Sequence, residues 1–272
     1  MLRSLKDLEN CEIGATDGNI GHVEDFYFDD HEWVVRYLIV DTGPWLFGRK
    51  VLISPISIAH PNWAERTLPV SITREQVENS PAIDTDKPVS RQYETEYLGY
   101  YGYPFYWGGT GIWGGGIYPY GMSAAEAGAV PWREDLDGER ARVERAKHLD
   151  DDPHLRSCRE VVGYRLHASD GEIGHVDSLL VDEETWGVRY LVVNTSHWWQ
   201  GHKVLIAPAW ITDVRWLDES VTVGLSREAI QGAPVFDSTA ELNRKRESAL
   251  YEHHGRPGYW TDARMPEAET GS

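Results

Sequence analysis

Two histidines have the side chains best suited to chemistry in this sequence, His22 and His175, each within a Gly-His-Val segment. A histidine that titrates near neutral pH can transfer a proton or ligate a metal ion. A metal site needs several ligands, and neither histidine has a cysteine or an acidic cluster at ligand spacing. We therefore interpret both as structural or surface polar residues, and we predict no metal site.

Two further patterns could suggest chemistry. Residues 109–114 read Gly-Thr-Gly-Ile-Trp-Gly, the glycine pattern of a dinucleotide loop, but no strand pattern precedes them and no helix pattern follows. Asp17 and Asp170 stand in predicted turns, where a carboxylate caps local backbone amides, so we do not assign them to a paired-carboxylate mechanism. The sequence predicts no catalytic residue and no cofactor, and therefore a protein that is not an enzyme.

The composition excludes several classes of protein. The chain has 44 acidic and 26 basic residues, for a formal net charge of −18, which repels phosphate backbones, so we expect no nucleic-acid partner. Its two cysteines, Cys11 and Cys158, are too few to staple the fold with disulfides. No segment approaches the roughly 20 apolar residues of a membrane-spanning helix, and the N terminus meets charge before any signal-like run. We expect a cytoplasmic protein without a transmembrane segment.

An internal repeat organises the chain. Adding 153 to a residue number maps the first part onto the last without a gap: Leu2-Arg3-Ser4 returns at 155–157, and the Lys-Val-Leu-Ile of residues 50–53 returns at 203–206. The match continues into an aromatic tail, in which Tyr106-Trp107 returns as Tyr259-Trp260. A repeat of this length indicates a duplicated domain rather than a solenoid unit. Because the tails keep their register, we expect each of them to dock on its domain.

These observations predict four segments. Residues 1–107 form a first domain with its aromatic tail, and residues 155–260 form a second. Residues 108–154 form a linker, glycine-rich at first and then a charged helix near residues 133–149. Residues 261–272 are predicted to be a disordered C terminus.

Each repeat carries the signals of short strands. Asp17-Gly18 and Asp170-Gly171 favour tight hairpins, and an irregular apolar spacing near Gly21 indicates a β-bulge. A short helix follows the last strand, with Thr73 or Ser226 as its N-cap. The predicted fold is all-β: two small, SH3-like, partly closed β-barrels, each with a short helix and an aromatic tail.

The motifs of both repeats resemble the PRC-barrel family, named for the cytoplasmic domain of the photosynthetic reaction centre H subunit. The resemblance rests on residues 18–25 (Gly-x-Ile-Gly-x-Val-x-Asp), 35–40 (Val-Arg-Tyr-Leu-Ile-Val) and 49–55 (Arg-Lys-Val-Leu-Ile-x-Pro), with their counterparts. Ser178 stands where the first copy has Asp25, and His202 where it has Arg49. The tail motif Arg91-x-x-Glu94 to Tyr106-Trp107 resembles one that follows the barrel in free-standing bacterial members. The family resemblance implies a binding or assembly module, with no general catalytic residues to transfer.

Two groups of side chains remain to be placed. Arg36 and Arg189 interrupt apolar strands, and we expect buried cations paired to a carboxylate, with Asp25 as the candidate in the first copy. Aromatic residues in the loops and tails are either core or anchors for a partner. The candidate partner-contact residues are Trp45, Phe47, Trp198, Trp199, Trp107 and Trp260.

The sequence therefore favours a non-catalytic assembly module that binds a protein partner, in a stress-related or membrane-associated complex. The two barrels are expected to pair with each other or in a homo-oligomer, since fusing two copies fixes a dimer. One alternative is an accessory factor of a photosynthetic or electron-transport complex. A ribosome or RNA-processing factor is a weaker alternative, because the net charge disfavours it.

Overall fold

A computed structural model of the chain describes residues 1–59, 61–83, 89–107, 111–119, 154–195 and 202–261. The chain divides into two compact units. We call residues Asp7–Ser157 the N-terminal unit, and Met1–Lys6 together with Cys158–Ser272 the C-terminal unit. In the described residues each unit is built around one β-sheet, so the chain is mostly β, as predicted.

The strands are short, apart from two of twelve residues (β3 and β9). They are β1 (Leu2–Ser4), β2 (Glu12–Ala15), β3 (Gly18–Asp29), β4 (Val34–Asp41), β5 (Lys50–Ile53), β6 (Thr67–Pro69), β7 (Leu155–Ser157), β8 (Arg165–Ala168), β9 (Gly171–Asp182), β10 (Val188–Asn194), β11 (Lys203–Ile206), β12 (Ile211–Arg215) and β13 (Ser220–Val223). The α-helices are α1 (Leu5–Leu8), α2 (Arg74–Glu78), α3 (Arg91–Tyr101), α4 (Cys158–Val161), α5 (Arg227–Gln231) and α6 (Arg244–His253).

The sheet of the N-terminal unit has the order β5-β4-β3-β2-β6, and β7 also pairs with β3. The β2–β6 pair is parallel and the other neighbours are antiparallel. Every residue of β4 except Asp41 is buried, which agrees with its nearly continuous apolar sequence. Fully buried apolar side chains on β2 to β6 form the core: Ile13, Ile20, Val23, Phe28, Leu38, Val40, Ile53 and Leu68.

The sheet of the C-terminal unit has the order β11-β10-β9-β8-β13-β12, with β1 also on β9. Its one parallel pair among the described strands is β8 with β13. The core again consists of fully buried apolar side chains: Leu166, Ile173, Val176, Val181, Leu191, Val193, Ile206 and Val221.

The first strand of each sequence repeat pairs with the long strand of the other repeat. β1 runs antiparallel to β9, with Leu2 opposite Asp182. β7 runs antiparallel to β3, with Leu155 opposite Asp29. The two registers are equivalent, because 2 and 155 differ by 153, as do 29 and 182. The domain boundaries drawn from the sequence, 1–107 and 155–260, therefore differ from the compact units at these strands.

The hairpin and the bulge predicted near residues 17–21 are both present. β2 and β3 pair with Ala15 opposite Gly18, and a register shift leaves Ile20 as the extra residue of β3. Gly21 has φ 155°, and a Cβ placed there would lie 2.0 Å from the backbone oxygen of Asp41. The close approach of β4 therefore requires glycine.

The short helices begin where their cap residues predict. Thr73 caps α2 by accepting from the backbone N–H of Gln76, whose side chain returns a capping-box bond. Ser226 caps α5 by accepting from Ala229. Of the helices in the described residues, none combines the length and apolar character needed to cross a bilayer.

Part of the predicted linker belongs to the N-terminal unit. Ile112 and Trp113 are buried, at 8% and 1% exposure, although the glycine-rich sequence around them indicated a spacer. Ile112 provides a backbone carbonyl to Arg36, and this contact explains the docking. The helix predicted at 133–149 and nearly all of the predicted disordered terminus at 261–272 lie outside the described residues.

Candidate functional site

The most exposed aromatic side chain of the described residues is Phe47, which is 98% exposed. It follows a single 3-10 turn, Gly43–Leu46, in the loop between β4 and β5. Its backbone has φ 56° and ψ 32°, the left-handed region that a phenylalanine rarely adopts. Single exposed apolar residues are common, but full exposure together with unfavourable backbone geometry indicates a residue presented for contact.

Hydrogen bonds hold this loop, residues 41–50, in one conformation. The backbone N–H of Gly48 donates to the carbonyl of Gly43 over 2.7 Å, closing the turn beneath Phe47. The Thr42 hydroxyl donates to the carbonyl of Arg49 over 2.7 Å, and Asp41 Oδ1 accepts from the Gly43 N–H over 2.8 Å. The loop is thus an ordered platform rather than a free segment.

Side chains also fasten the loop to the rest of the unit. The indole N–H of Trp45 donates to the carbonyl of Ile20, and the guanidinium carbon of Arg74 lies 4.3 Å from the Trp45 ring centre. Arg49 donates to the carbonyl of Ser80 over 2.7 Å. Trp45 was predicted as a partner contact; it is half-buried and supports the loop. The other two loop candidates, Trp198 and Trp199, lie outside the described residues.

The first aromatic tail is anchored by a buried glutamate. Glu94 of α3 has 0% exposure and accepts hydrogen bonds from the hydroxyls of Tyr37, at 3.2 Å, and of Tyr106 in the tail. Arg91 Nη1 lies 3.2 Å from the second carboxylate oxygen. Burial and the neighbouring Glu94 raise the pKa values of Tyr37 and Tyr106 well above their usual range, so both hydroxyls keep the proton they donate.

Trp107 packs beside this anchor. Its ring stacks on Phe105 with centroids 4.8 Å apart, and the guanidinium carbon of Arg91 lies 4.1 Å from its centre. Cation–π contacts of this kind contribute about 0.5–1 kcal/mol at partly exposed sites. Trp107 is half-buried and makes these contacts inside its own unit, so it packs within the tail, and its role as a partner contact stays a prediction.

The second tail repeats this arrangement in the C-terminal unit. Glu247 of α6 accepts from Tyr190 at 2.9 Å and from Tyr259 at 3.0 Å, and Arg244 lies 3.1 Å away. Burial raises the pKa of Glu247 above its usual value, although these donors partly oppose the shift. The Trp260 ring lies 4.3 Å from the guanidinium carbon of Arg244. The tails are docked, as their shared register predicted.

The buried arginine of β4 pairs with a carboxylate other than the one predicted. Arg36, 1% exposed, lies 3.1 Å from Asp29, whereas Asp25 accepts from the hydroxyl of Ser157 at 2.5 Å. Asp29 stands on β3 beside β4, and its counterpart Asp182 pairs with Arg189 at 3.4 Å. Burial favours a raised pKa for Asp29, but Arg36 and the backbone N–H of His31 outweigh it, so the net pKa is lowered.

The remaining candidates do not assemble into a reactive site. His22 is exposed and His175 half-buried, and in the described part of the chain no three metal-ligating side chains converge. Asp17 accepts the backbone N–H of Arg74 over 2.8 Å, so its carboxylate caps α2 across the fold rather than a local turn amide. Cys11 and Cys158 are both buried.

A known protein family matches part of the first repeat, the part that carries the Phe47 loop. Residues 2–72 match the PRC-barrel domain. No curated protein matches the chain. The matched segment holds β1 to β6 and the Phe47 loop, and it ends before α2. A PRC-barrel domain suggests a protein-interaction module, in agreement with the exposed aromatic residue on its surface.

Two residues outside the PRC-barrel match complete the N-terminal unit and were missed from the sequence. His154 Nε2 lies 3.1 Å from both Glu94 and the Tyr106 hydroxyl. The counterpart of His154 in the first repeat is Met1, so the repeat comparison carried no signal for it. Trp113 stands in glycine-rich sequence without a counterpart, and only its size indicated a buried position.

Proposed function

We propose that this protein is a non-catalytic interaction module that binds a protein partner through the Phe47 loop, residues 41–50, of its PRC-barrel domain. The observation that carries the proposal is the fully exposed Phe47 on a hydrogen-bonded turn. The match of residues 2–72 to a domain suited to protein interaction supports it.

The loop geometry suits a binding anchor. Burying a phenylalanine side chain contributes roughly 1.5–3 kcal/mol. Because the turn is already closed by Gly48 and Thr42, binding need not order the loop, and less of that free energy is lost to conformational entropy. Aromatic anchors surrounded by polar residues are the usual centres of protein interfaces.

The proposal includes two PRC-type barrels that arose by duplication. In support, β3 and β9 each have twelve residues and begin 153 positions apart, and the buried glutamates Glu94 and Glu247 anchor the two tails in the same way. The counterparts of residues 41–50 are residues 194–203, of which 196–201 lie outside the described range. The proposed contact is therefore placed on the Phe47 loop of the first repeat.

A site-specific photocross-linking experiment tests the proposal. Benzoylphenylalanine replaces Phe47 in the full chain, expressed in the cells that make the protein, and the cross-linked products are identified by mass spectrometry. Leu217, 101% exposed on the C-terminal unit, is the matched control position. We expect a discrete protein adduct from position 47 that position 217 does not give.

Competition makes the result specific. Excess unlabelled parent protein is expected to abolish the adduct, whereas a Phe47→Ala protein of unchanged melting temperature is expected to compete at least tenfold less well, because about 1.4 kcal/mol of lost contact corresponds to a factor of ten. Equal competition by the two proteins, or the same adducts from both positions, contradicts the proposed contact.

A further inference from the structure

The same three-residue strand docks on the long strand of both units. Leu2-Arg3-Ser4 pairs with β9 and Leu155-Arg156-Ser157 pairs with β3, antiparallel in both cases and in equivalent registers. Each strand is the first element of its own sequence repeat. The PRC-barrel match begins at residue 2, so β1 belongs to the sequence of its own domain, yet it lies in the other compact unit.

The docking contacts in the N-terminal unit extend beyond the backbone ladder. Arg156 Nε lies 2.9 Å from Asp30, and the Ser157 hydroxyl donates to Asp25 at 2.5 Å. The backbone N–H of Asp30 donates to the carbonyl of His154, extending the ladder by one residue. Leu155 is also buried. The N-terminal unit therefore contacts the side chains of all three residues of β7.

The C-terminal unit binds β1 through the same kinds of contact. Arg3 Nε lies 2.6 Å from Glu183, the counterpart of Asp30. The backbone N–H of Glu183 donates to the carbonyl of Met1 at 3.1 Å, and the N-terminal amine lies 3.3 Å from the same carboxylate. Lys6, just after β1, pairs with Asp177 at 3.2 Å. An acidic residue at the end of the long strand therefore recognises the arginine in both units.

We propose that the last three residues of β3 (27–29), and equally those of β9 (180–182), are a docking site for the Leu-Arg-Ser strand of a second copy of this repeat. In this chain the second copy is the other repeat, and the docking is reciprocal. The two halves are consequently interlocked and stay together after the chain between them is cut. Strand exchange of this kind is a general route by which identical units assemble.

His154 favours the exchanged pairing over pairing of each strand within its own repeat. With β7 on β3, its ring reaches the buried carboxylate of Glu94 at 3.1 Å. If β1 occupied that edge in the same register, Met1 would take this position and offer a thioether instead. A buried carboxylate gains more from a histidine N–H than from a thioether, so the exchanged pairing is favoured over closure of each repeat on itself.

The experiment uses the full chain in two versions that differ in one cysteine. Both carry Cys11→Ala, Cys158→Ala and Ser4→Cys, and a protease recognition sequence is inserted between residues 128 and 129. One version adds Leu180→Cys, the residue opposite Ser4 in the exchanged pairing. The control adds Tyr27→Cys, which would face Ser4 if the strand closed on its own repeat, because Tyr27 pairs with the equivalent Ser157.

After mild oxidation and complete cleavage, non-reducing gels separate the outcomes. The exchanged pairing predicts that the Leu180→Cys version runs as one band and yields a disulfide-linked peptide pair, and that the Tyr27→Cys version runs as two bands without such a pair. A disulfide in the Tyr27→Cys version alone, or in neither, overturns the proposal. The parent chain carrying the cleavage site should elute as one particle after cutting; separation of the halves on gel filtration also overturns it. These readouts do not involve Phe47.

Discussion

The ring centre of Trp113 lies 4.9 Å from the guanidinium carbon of Arg36, inside the N-terminal unit. Arg36 is enclosed from several sides, since Tyr106 lies 3.9 Å from the same carbon, Asp29 pairs with one nitrogen and Ile112 offers its carbonyl to another at 2.5 Å. A buried cation is tolerated only with such compensation. The glycine-rich segment thus covers the guanidinium of Arg36, which β4 places in the core.

Replacing Trp113 by alanine is expected to lower the free energy of unfolding by about 3–5 kcal/mol, because it opens a cavity beside the guanidinium of Arg36. Urea unfolding of the full chain, followed by circular dichroism, measures the change. Tyr118→Ala is the control from the same segment; this side chain is 39% exposed, and we expect a change of about 0.5 kcal/mol or less. Equal effects of the two substitutions would show that residues 111–119 do not pack on the unit.

Local patterns accounted for the elements and for the anchoring of the tails. The Asp-Gly hairpin, the bulge near Gly21 and the cap at Thr73 are short-range features, and each is present. Side-chain pairings that depend on the register of the whole sheet were harder to predict from the sequence. Asp25 and Asp29 both lie on β3, the strand next to Arg36 of β4. Only the strand register and the hydrogen bond from Ser157 to Asp25 determine that Arg36 pairs with Asp29.

The strand exchange could not be read from the repeat. Because Leu-Arg-Ser occurs identically at the start of each repeat, a strand that pairs within its own repeat and a strand exchanged with the other repeat have the same sequence pattern. The residue that distinguishes them is His154, which has no histidine counterpart. Phe47 was correctly placed in a loop, whereas its exposure depends on the turn geometry that ends at Gly48.

The buried carboxylate of Glu94 is expected to be essential for tail docking. Glu94→Ala leaves the hydroxyls of Tyr37 and Tyr106 and the guanidinium of Arg91 without their shared acceptor, and breaking such a buried network costs about 3–5 kcal/mol. Glu94→Gln keeps one acceptor oxygen and should cost less. Hydrogen exchange of residues 101–107 measures docking, and protection as in the parent for the alanine variant would contradict this role.

Gly21→Ala is expected to prevent β3 and β4 from pairing in their present register, because the new Cβ would meet the Asp41 carbonyl oxygen at 2.0 Å. The full chain should lose cooperative thermal unfolding of the N-terminal unit or melt far below the parent. Gly48→Ala is the matched control, with φ 71° and open space around the added carbon. We expect it to cost only about 1 kcal/mol, from the backbone conformation alone. Similar melting of both variants would contradict the steric argument.

The stability of the C-terminal unit should fall as the pH drops from about 6.5 towards 4, in part through His254. Burial lowers the pKa of His254 to about 4, and the neighbouring His253 and Arg256 add to the shift. Its ring packs on Trp210, with centroids 4.7 Å apart. In this pH window the unfolded chain binds a proton that the folded chain does not, so acidification favours unfolding.

His254→Gln removes this contribution, and its melting temperature should fall less than that of the parent between pH 7 and pH 5. His22→Gln, a change at an exposed histidine of the N-terminal unit, serves as the control and should follow the parent. If His254→Gln and His22→Gln lose the same number of degrees over this range, proton uptake at His254 is not linked to unfolding.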